Sequence, residues 1–234
     1  MSGGTCDLPE AADGGAAPRR RGRPRQLSLE RIASAARNVA PEALTMQAVA
    51  DELGVDPKAL NYHVGDREGL RELVALDVFE TELARVTLPV DSDWRDVVRS
   101  YTTALRDAVV QVGVLATSVR LPGARGLGTL EPVERVLEAL VGAGFDTADA
   151  RAALTLITET GFSSGLNAVL VAQHHGHPDV PGVIRALQAA GDKELPVLRE
   201  VVAGRQDDDD QLEFKMTVIL AGLERVLSRK RPPG

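Results

Sequence analysis

One segment restricts this chain more than any other. Residues 44–70 read LTMQAVADELGVDPKALNYHVGDREGL. Thr45, Asp56 and Asp66 are all side chains that can accept from the free N–H groups at a helix start. Apolar residues follow each at helical spacing: Met46, Val49, Ala50 and Leu53, then Ala59, Leu60 and Val64, then Leu70, Leu73, Val74 and Val78. Gly54 and Gly65 punctuate the runs, and Pro57 takes a first helical position, where its missing N–H costs nothing. The spacing predicts helices from Thr45 to Leu53, from Asp56 to about Val64, and from Asp66 to about Val86. A helix, a tight glycine turn and a short second helix are the parts of a helix-turn-helix. Ala50 is small where the helices must approach, Gly54 tolerates positive φ, and Val55 can fill the angle between them. The N-terminal end of so short a second helix fits a major groove about 12 Å wide. Pro57, Lys58, Asn61, Tyr62 and His63 are left with outward faces. The alternative is an ordinary hairpin in an all-α core.

The rest of the chain agrees with an all-α protein. Only 3% of its 234 residues are aromatic and 44% are hydrophobic, which suits helices packed on an aliphatic core better than a β-sandwich or barrel. No apolar run reaches the 18 or so residues that span a bilayer. The first residues lack the apolar stretch of a secretory signal, so a cytoplasmic location with no membrane partner is expected. The single cysteine, Cys6, excludes an internal disulfide and a cysteine-cluster metal site. Net charge is −7, but residues 18–72 carry ten Lys/Arg against eight Asp/Glu and residues 73–234 carry 17 against 23. A local basic region can hold DNA on an acidic protein.

The expected organisation is a leader and basic arm over residues 1–26, a DNA-binding unit over 27–72 and a regulatory, dimerising unit over 73–234. Ser28 should cap a first helix carrying Ile32, Ala35, Ala36 and Val39. Later helices are expected from Trp94 to about Leu121 with an interruption at Gly113, from Glu131 to Gly142, from a Thr147 cap to about Gln173, near Val183–Ala190, near Pro196–Ala203, and from Gln211 to Arg229. The four acids at 207–210 stand just before the last of these, where negative charge suits a helix N-terminus.

These residues resemble the tetracycline-repressor (TetR) family of bacterial regulators. The carrying positions are Leu44-Thr45, Ala50, Leu53-Gly54-Val55, Ala59-Leu60, His63-Val64 and the Arg67–Leu70 helix start. Further on, GARGLGTLEPVERVLEALVGAGF, ALTLITETGFSSGL and EFKMTVILAGLERVL are similar to the regulatory half of the tetracycline-binding branch. The resemblance implies a DNA-binding repressor that meets a pseudo-palindromic operator as a homodimer and is released by a small-molecule effector. It makes residues 57–64 the recognition helix and gives Gln47 a base-reading role; glutamine can bind adenine bidentately. Lys58, Tyr62 and His63 would reach bases or phosphates, and Thr45 and Arg67 would hold phosphates and set register. The family usually has Tyr directly after the Leu. Here Asn61 stands there, free to read a base, and Tyr62 follows. The resemblance also implies an effector pocket among the regulatory helices, for which Thr102, Leu105, Thr117, Arg120, Thr158, Phe162 and Asn167 are candidates. It implies a four-helix dimer interface from the stripes Leu154, Ile157, Gly161 and Phe214, Val218, Ala221, Arg225. Packing within the chain is the other reading of those stripes. The tetracycline-binding branch holds a drug-bound Mg²⁺ with a loop His, which Ala124–Gly128 lacks, so metal-chelated tetracycline is not the expected effector; no cofactor and no metal site are expected.

Three motifs admit other readings. Arg21, Arg23 and Arg25 surround Gly22 and Pro24 in an arm similar to an AT-hook, which could enter an A·T minor groove or simply attract phosphate. Gly161-Phe162-Ser163-Ser164-Gly165 matches the G-x-S-x-G elbow of a serine hydrolase, with Ser163 as nucleophile, yet no strands exist to build the sheet that motif needs. His174, His175 and His177 could bind a metal or form a solvated loop. No enzyme is expected, and a helical interaction module without DNA affinity is the remaining alternative.

Overall fold

The structure, a computed structural model, describes residues 27–90, 92–119, 130–174, 176, 177, 179–191, 194–204 and 208–230. Within them every regular element is helical: α1 (Leu29–Ala36), α2 (Met46–Leu53), α3 (Pro57–Val64), α4 (Arg67–Leu83), α5 (Trp94–Val112), α6 (Glu131–Ala143), α7 (Thr147–His174), α8 (Val180–Ala189), α9 (Pro196–Ala203) and α10 (Asp208–Lys230), with short 3-10 segments at Pro41–Ala43 and Gly113–Ser118. None of these helices is long and apolar enough to cross a membrane. The all-α expectation holds.

Capping chemistry sets the starts. Side chains of Ser28, Thr45, Asp56 and Asp66 accept from the backbone N–H of Arg31, Ala48, Lys58 and Gly69. Some later boundaries differ from the sequence reading. Asp146, rather than Thr147, caps α7 by accepting from the Asp149 N–H at 2.8 Å. The interruption expected at Gly113 is present: the helix after Trp94 ends at Val112, because Gly113 at φ 61° leaves the helical region, and the chain tightens into a 3-10 segment. Asp208–Asp210 lie inside the first turn of α10 rather than ahead of it.

One core runs through the molecule, from Ile32 in α1 to Leu223 in α10. Helix α4 joins its two ends. It packs against α1 and α3 on one side and against α5 and the Gly113–Ser118 segment on the other, burying Leu70, Leu73, Val74, Phe79 and Leu83 along its length. Beyond it, α5 and α7 form the most extensive helix pair. Their backbones meet at Gly161 and Gly165, where a Cβ would stand 2.7 Å from the Thr102 carbonyl oxygen and 2.6 Å from Val109 Cβ respectively. The start of α5 is tied to α10 by the Arg95–Glu224 ion pair at 2.5 Å. Asp93, which caps α5, has its carboxyl held below the usual range, chiefly by the Arg95 N–H and then by the Arg95 guanidinium.

Candidate nucleic-acid interface and regulatory core

The turn between α2 and α3 is a glycine-stopped helix end. Gly54 is left-handed at φ 66°, and the Val55 N–H donates to the Ala50 carbonyl at 3.0 Å while the Gly54 N–H donates to Asp51 at 3.2 Å. These are the paired bonds of a Schellman motif, and they aim α3 away from α2. Leu60 is the one buried side chain of α3, with no solvent exposure. Removing a leucine side chain from water is worth about 1.5–3 kcal/mol, so Leu60 is the main anchor of α3, with Val64 partly buried on the core one turn on. Ala59, expected on the same apolar face, is exposed; a methyl one residue before the anchor is turned about 100° from it and cannot share its face.

Anchored through Leu60, α3 presents Lys58, Asn61 and Tyr62 to solvent, with Pro57 and His63 half-buried. Tyr62 is 90% exposed, an unusual cost for an aromatic without a partner surface. The His63 ring meets it edge-on at 5.5 Å. Neither Lys58 nor Arg67 makes an ion pair among the described residues. Thr45 spends its hydroxyl oxygen on the Ala48 N–H at the start of α2, which leaves the hydroxyl proton for an outside acceptor. Gln47, exposed one residue inside α2, donates its amide N–H to Asp51 at 2.7 Å. Arg21, Arg23 and Arg25 lie outside the described residues.

Two features of this surface escaped the sequence reading. A Cβ at Gly69 would run into the Val64 carbonyl oxygen, so the first turn of α4 sits directly against the end of α3. Beside it, the buried Ser118 hydroxyl donates to Glu68 at 3.3 Å, joining the 3-10 segment after α5 to the residue next to Arg67. A bond spanning fifty residues has no local signature. The Gln47–Asp51 pair does have one, since positions i and i+4 share a helix face.

The seven candidate pocket residues scatter. Thr102 and Leu105 are packed core residues of α5, and the Thr102 hydroxyl is spent on the Val98 carbonyl. Thr158 and Phe162 are half-buried on the facing side of α7; Phe162 meets Phe79 of α4 edge-on at 6.1 Å, and Thr158 bonds the Tyr101 phenol. Burial pushes that phenol above its ordinary pKa, and the Thr158 bond offsets part of the rise. Asn167 is half-buried, Thr117 is exposed, and Arg120 lies outside the described residues. A groove of about 590 Å³ opens elsewhere, between the end of α4 and α5 at Glu82, Arg85, Arg99 and Asp107.

The two stripes also separate. Gly161 is buried against α5 of the same chain, Ile157 is buried in the core and Leu154 is partly buried on it. Phe214, Val218, Ala221 and Arg225 of α10 are exposed, so this stripe is not packed within the chain. The elbow reading fails on geometry. Residues 161–165 lie in the middle of α7, and the Ser163 hydroxyl donates to the Thr160 carbonyl of the preceding turn. His174 ends α7, His175 is outside the described residues, and His177 sits 3.7 Å from Asp179. No group of three or more metal-ligating side chains forms among the described residues.

The family profile described as "Tetracyclin repressor-like, C-terminal domain" matches residues 88–227. The chain belongs to the TetR family. Solved structures share the fold. Apo ActR from Streptomyces coelicolor is 23% identical at a TM-score of 0.66, covering 88% of this chain and 98% of its own. ActR in complex with actinorhodin gives 23% and 0.65, with coverages of 86% and 97%. BioQ of Mycobacterium smegmatis gives 24% and 0.55, covering 85% and 98%. TetR-family proteins are transcription regulators rather than enzymes, and the hydrolase alternative falls with that membership as well as with the helical setting of Ser163.

Proposed function

We propose that this TetR-family regulator is a cytoplasmic homodimer that binds a pseudo-palindromic DNA operator and releases it when a small molecule occupies the regulatory domain. Residues 27–72 would be the DNA-binding domain and 73–234 the regulatory one, with α4 crossing the boundary between them. The observation that carries the reading is α3. It is a capped helix held by one buried leucine, with Tyr62 90% exposed and Lys58 and Asn61 beside it. In the bound dimer the two α3 helices would enter major grooves about 34–36 Å apart or a multiple of that. Arg67 and Thr45 would clamp phosphates at the starts of α4 and α2, where helix dipoles also favour anions.

The dimer would form on the outer faces of α7 and α10. Leu156 and Leu170 on the first, and Phe214 and Val218 on the second, are apolar side chains between 38% and 69% exposed, and burying them needs a partner. The effector would enter the α4–α5–α7 seam near Phe79, Tyr101, Thr158 and Phe162. There a mostly aromatic wall with a hydroxyl pair suits an amphipathic molecule. ActR, of the same fold, has been solved with actinorhodin in complex. A ligand shifts the DNA-binding state only by its differential affinity for two conformations, and the Ser118–Glu68 bond and α4 are the connection from that seam to the surface.

The test is binding of the purified protein to the duplex upstream of its own gene, at two salt concentrations with random competitor DNA. Saturable binding that survives competitor, with a two-fold symmetric footprint, is the expected result. Binding that competitor abolishes, or none at low salt on selected as well as upstream duplexes, refutes the reading.

A further inference from the structure

We infer that Asp51 is a positioning residue for base recognition: its carboxylate holds the Gln47 side-chain amide in one polarity, so that Gln47 reads an adenine·thymine pair in one orientation only. The inference rests on the proposed operator binding and adds to it a specificity determinant outside the recognition helix.

A glutamine amide offers an acceptor at one end and donors at the other. Rotating it by half a turn exchanges them at little cost when nothing distinguishes the ends. On a DNA-facing surface that ambiguity blurs recognition. Adenine presents an N7 acceptor and an N6 donor in a fixed order across the major groove, and exchanging A·T for T·A moves that pair to the other strand. A glutamine free to rotate can follow it more readily than one that cannot.

Here rotation is blocked by charge. Gln47 Nε2 donates to Asp51 Oδ1 at 2.7 Å, one turn along the exposed face of α2. A carboxylate only accepts hydrogen bonds. The rotated amide would set the Gln47 carbonyl oxygen against the Asp51 oxygen at that same separation, two acceptors with no proton between them. The second Nε2 proton stays free, so the amide keeps both an acceptor and a donor for a base edge while its order is set. The neighbouring acid Glu52 does not compete, because Asn38 already donates to it at 2.7 Å. A carboxylate close to the phosphates costs affinity for every duplex, and a specificity role explains its presence on this face.

The experiment selects binding sites from a random duplex pool with the full-length protein. Affinities are then measured with A·T and T·A exchanged at the position that Gln47→Ala flattens. Wild type should favour one orientation by about tenfold, the effect of one good pair of base hydrogen bonds. Asp51→Asn keeps the size of the side chain but can face either end of the amide, and Asp51→Ala removes it. Both should bring the two orientations to within about threefold. Each also removes a negative charge, which strengthens binding to all sequences alike and cancels in the ratio. Full orientation preference in both Asp51 variants, with Gln47→Ala still flattening the position, overturns the positioning role and leaves the operator reading standing. A Gln47→Ala protein with an unchanged site preference overturns it as well. If wild type selects no duplex at all, the operator reading itself fails.

Discussion

Replacing Gly165 by alanine sets two well-characterised effects against each other. In a helix interior alanine is favoured over glycine by about 1 kcal/mol, so a solvent-facing exchange would stabilise α7. The packing says otherwise. A Cβ at Gly165 would lie 2.6 Å from Val109 Cβ and 2.7 Å from the Arg106 carbonyl oxygen, about 0.7–0.8 Å inside the 3.4 Å at which ordinary contact begins. Gly161 repeats the situation one turn earlier, against the Thr102 carbonyl and Leu105 Cβ. Backbone carbonyls and Cβ atoms cannot rotate away, so the α5 and α7 axes must part. Overpacking of this kind costs about 1–3 kcal/mol, and contact with main chain puts it in the upper half of that range. The net expectation is destabilisation by about 1–2 kcal/mol, read as a fall in Tm of about 2–8 °C for a chain of this size. Gly161→Ala should behave alike, and the double variant should fall short of the sum, because one displacement of the axes relieves both clashes. Ser163→Ala, on the exposed side of the same turn, should stay within about 0.5 kcal/mol. Thermal unfolding by circular dichroism suffices, with protein concentration held constant because association of chains would shift Tm with it. A Gly165→Ala protein that melts at or above wild type would refute the argument, leaving propensity as the larger effect and the α5–α7 seam looser than its geometry.

Three further outcomes are expected. Leu60→Ala should cost about 2–5 kcal/mol in the DNA-binding unit and abolish duplex binding at temperatures where most of the helical signal persists, measured by parallel melting and mobility-shift assays. Arg67→Ala should weaken all duplexes similarly and reduce the slope of log K against log salt by about 0.9 for each phosphate the protein no longer neutralises, whereas Lys58→Ala or Tyr62→Ala should change which sequences are preferred. The buried Tyr101 phenol has its pKa raised in the folded state. Folding therefore holds that proton longer than the unfolded chain does, and its contribution is complete below the unfolded value of about 10 and lost as pH rises beyond it. Urea midpoints should thus fall more steeply above about pH 10 in wild type than in Tyr101→Phe; equal slopes would place the alkaline loss elsewhere.

Much of the helix-turn-helix unit was legible in the sequence. Asp56, Pro57 and the Gly54 turn announce α3, and Lys58, Asn61 and Tyr62 are exposed where the pattern put them outward. The regulatory half was less legible. The α7 stripe of Leu154, Ile157 and Gly161 was correctly apolar and small, but periodicity names a face and not its partner. For Gly161 that partner is α5 of the same chain. The same ambiguity let Gly161–Gly165 imitate a nucleophile elbow. Of the candidate pocket residues, Thr102 and Leu105 are buried in the core and Thr117 is exposed.

Neighbouring residues alone set where most of the early helices begin and end. Ser28, Thr45, Asp56 and Asp66 each satisfy an N–H two or three residues away, and Gly54 supplies a backbone region that other residues avoid. Such bonds close within one helical turn, so they are written in adjacent letters of the sequence. What each face meets was settled only by the folded chain: Leu60 against the core while Ala59 faces water, Gly161 against the Thr102 backbone, Ser118 against Glu68 fifty residues away. Those choices depend on the angles at which the helices cross, and the angles follow from packing the whole core at once, at close to crystalline density.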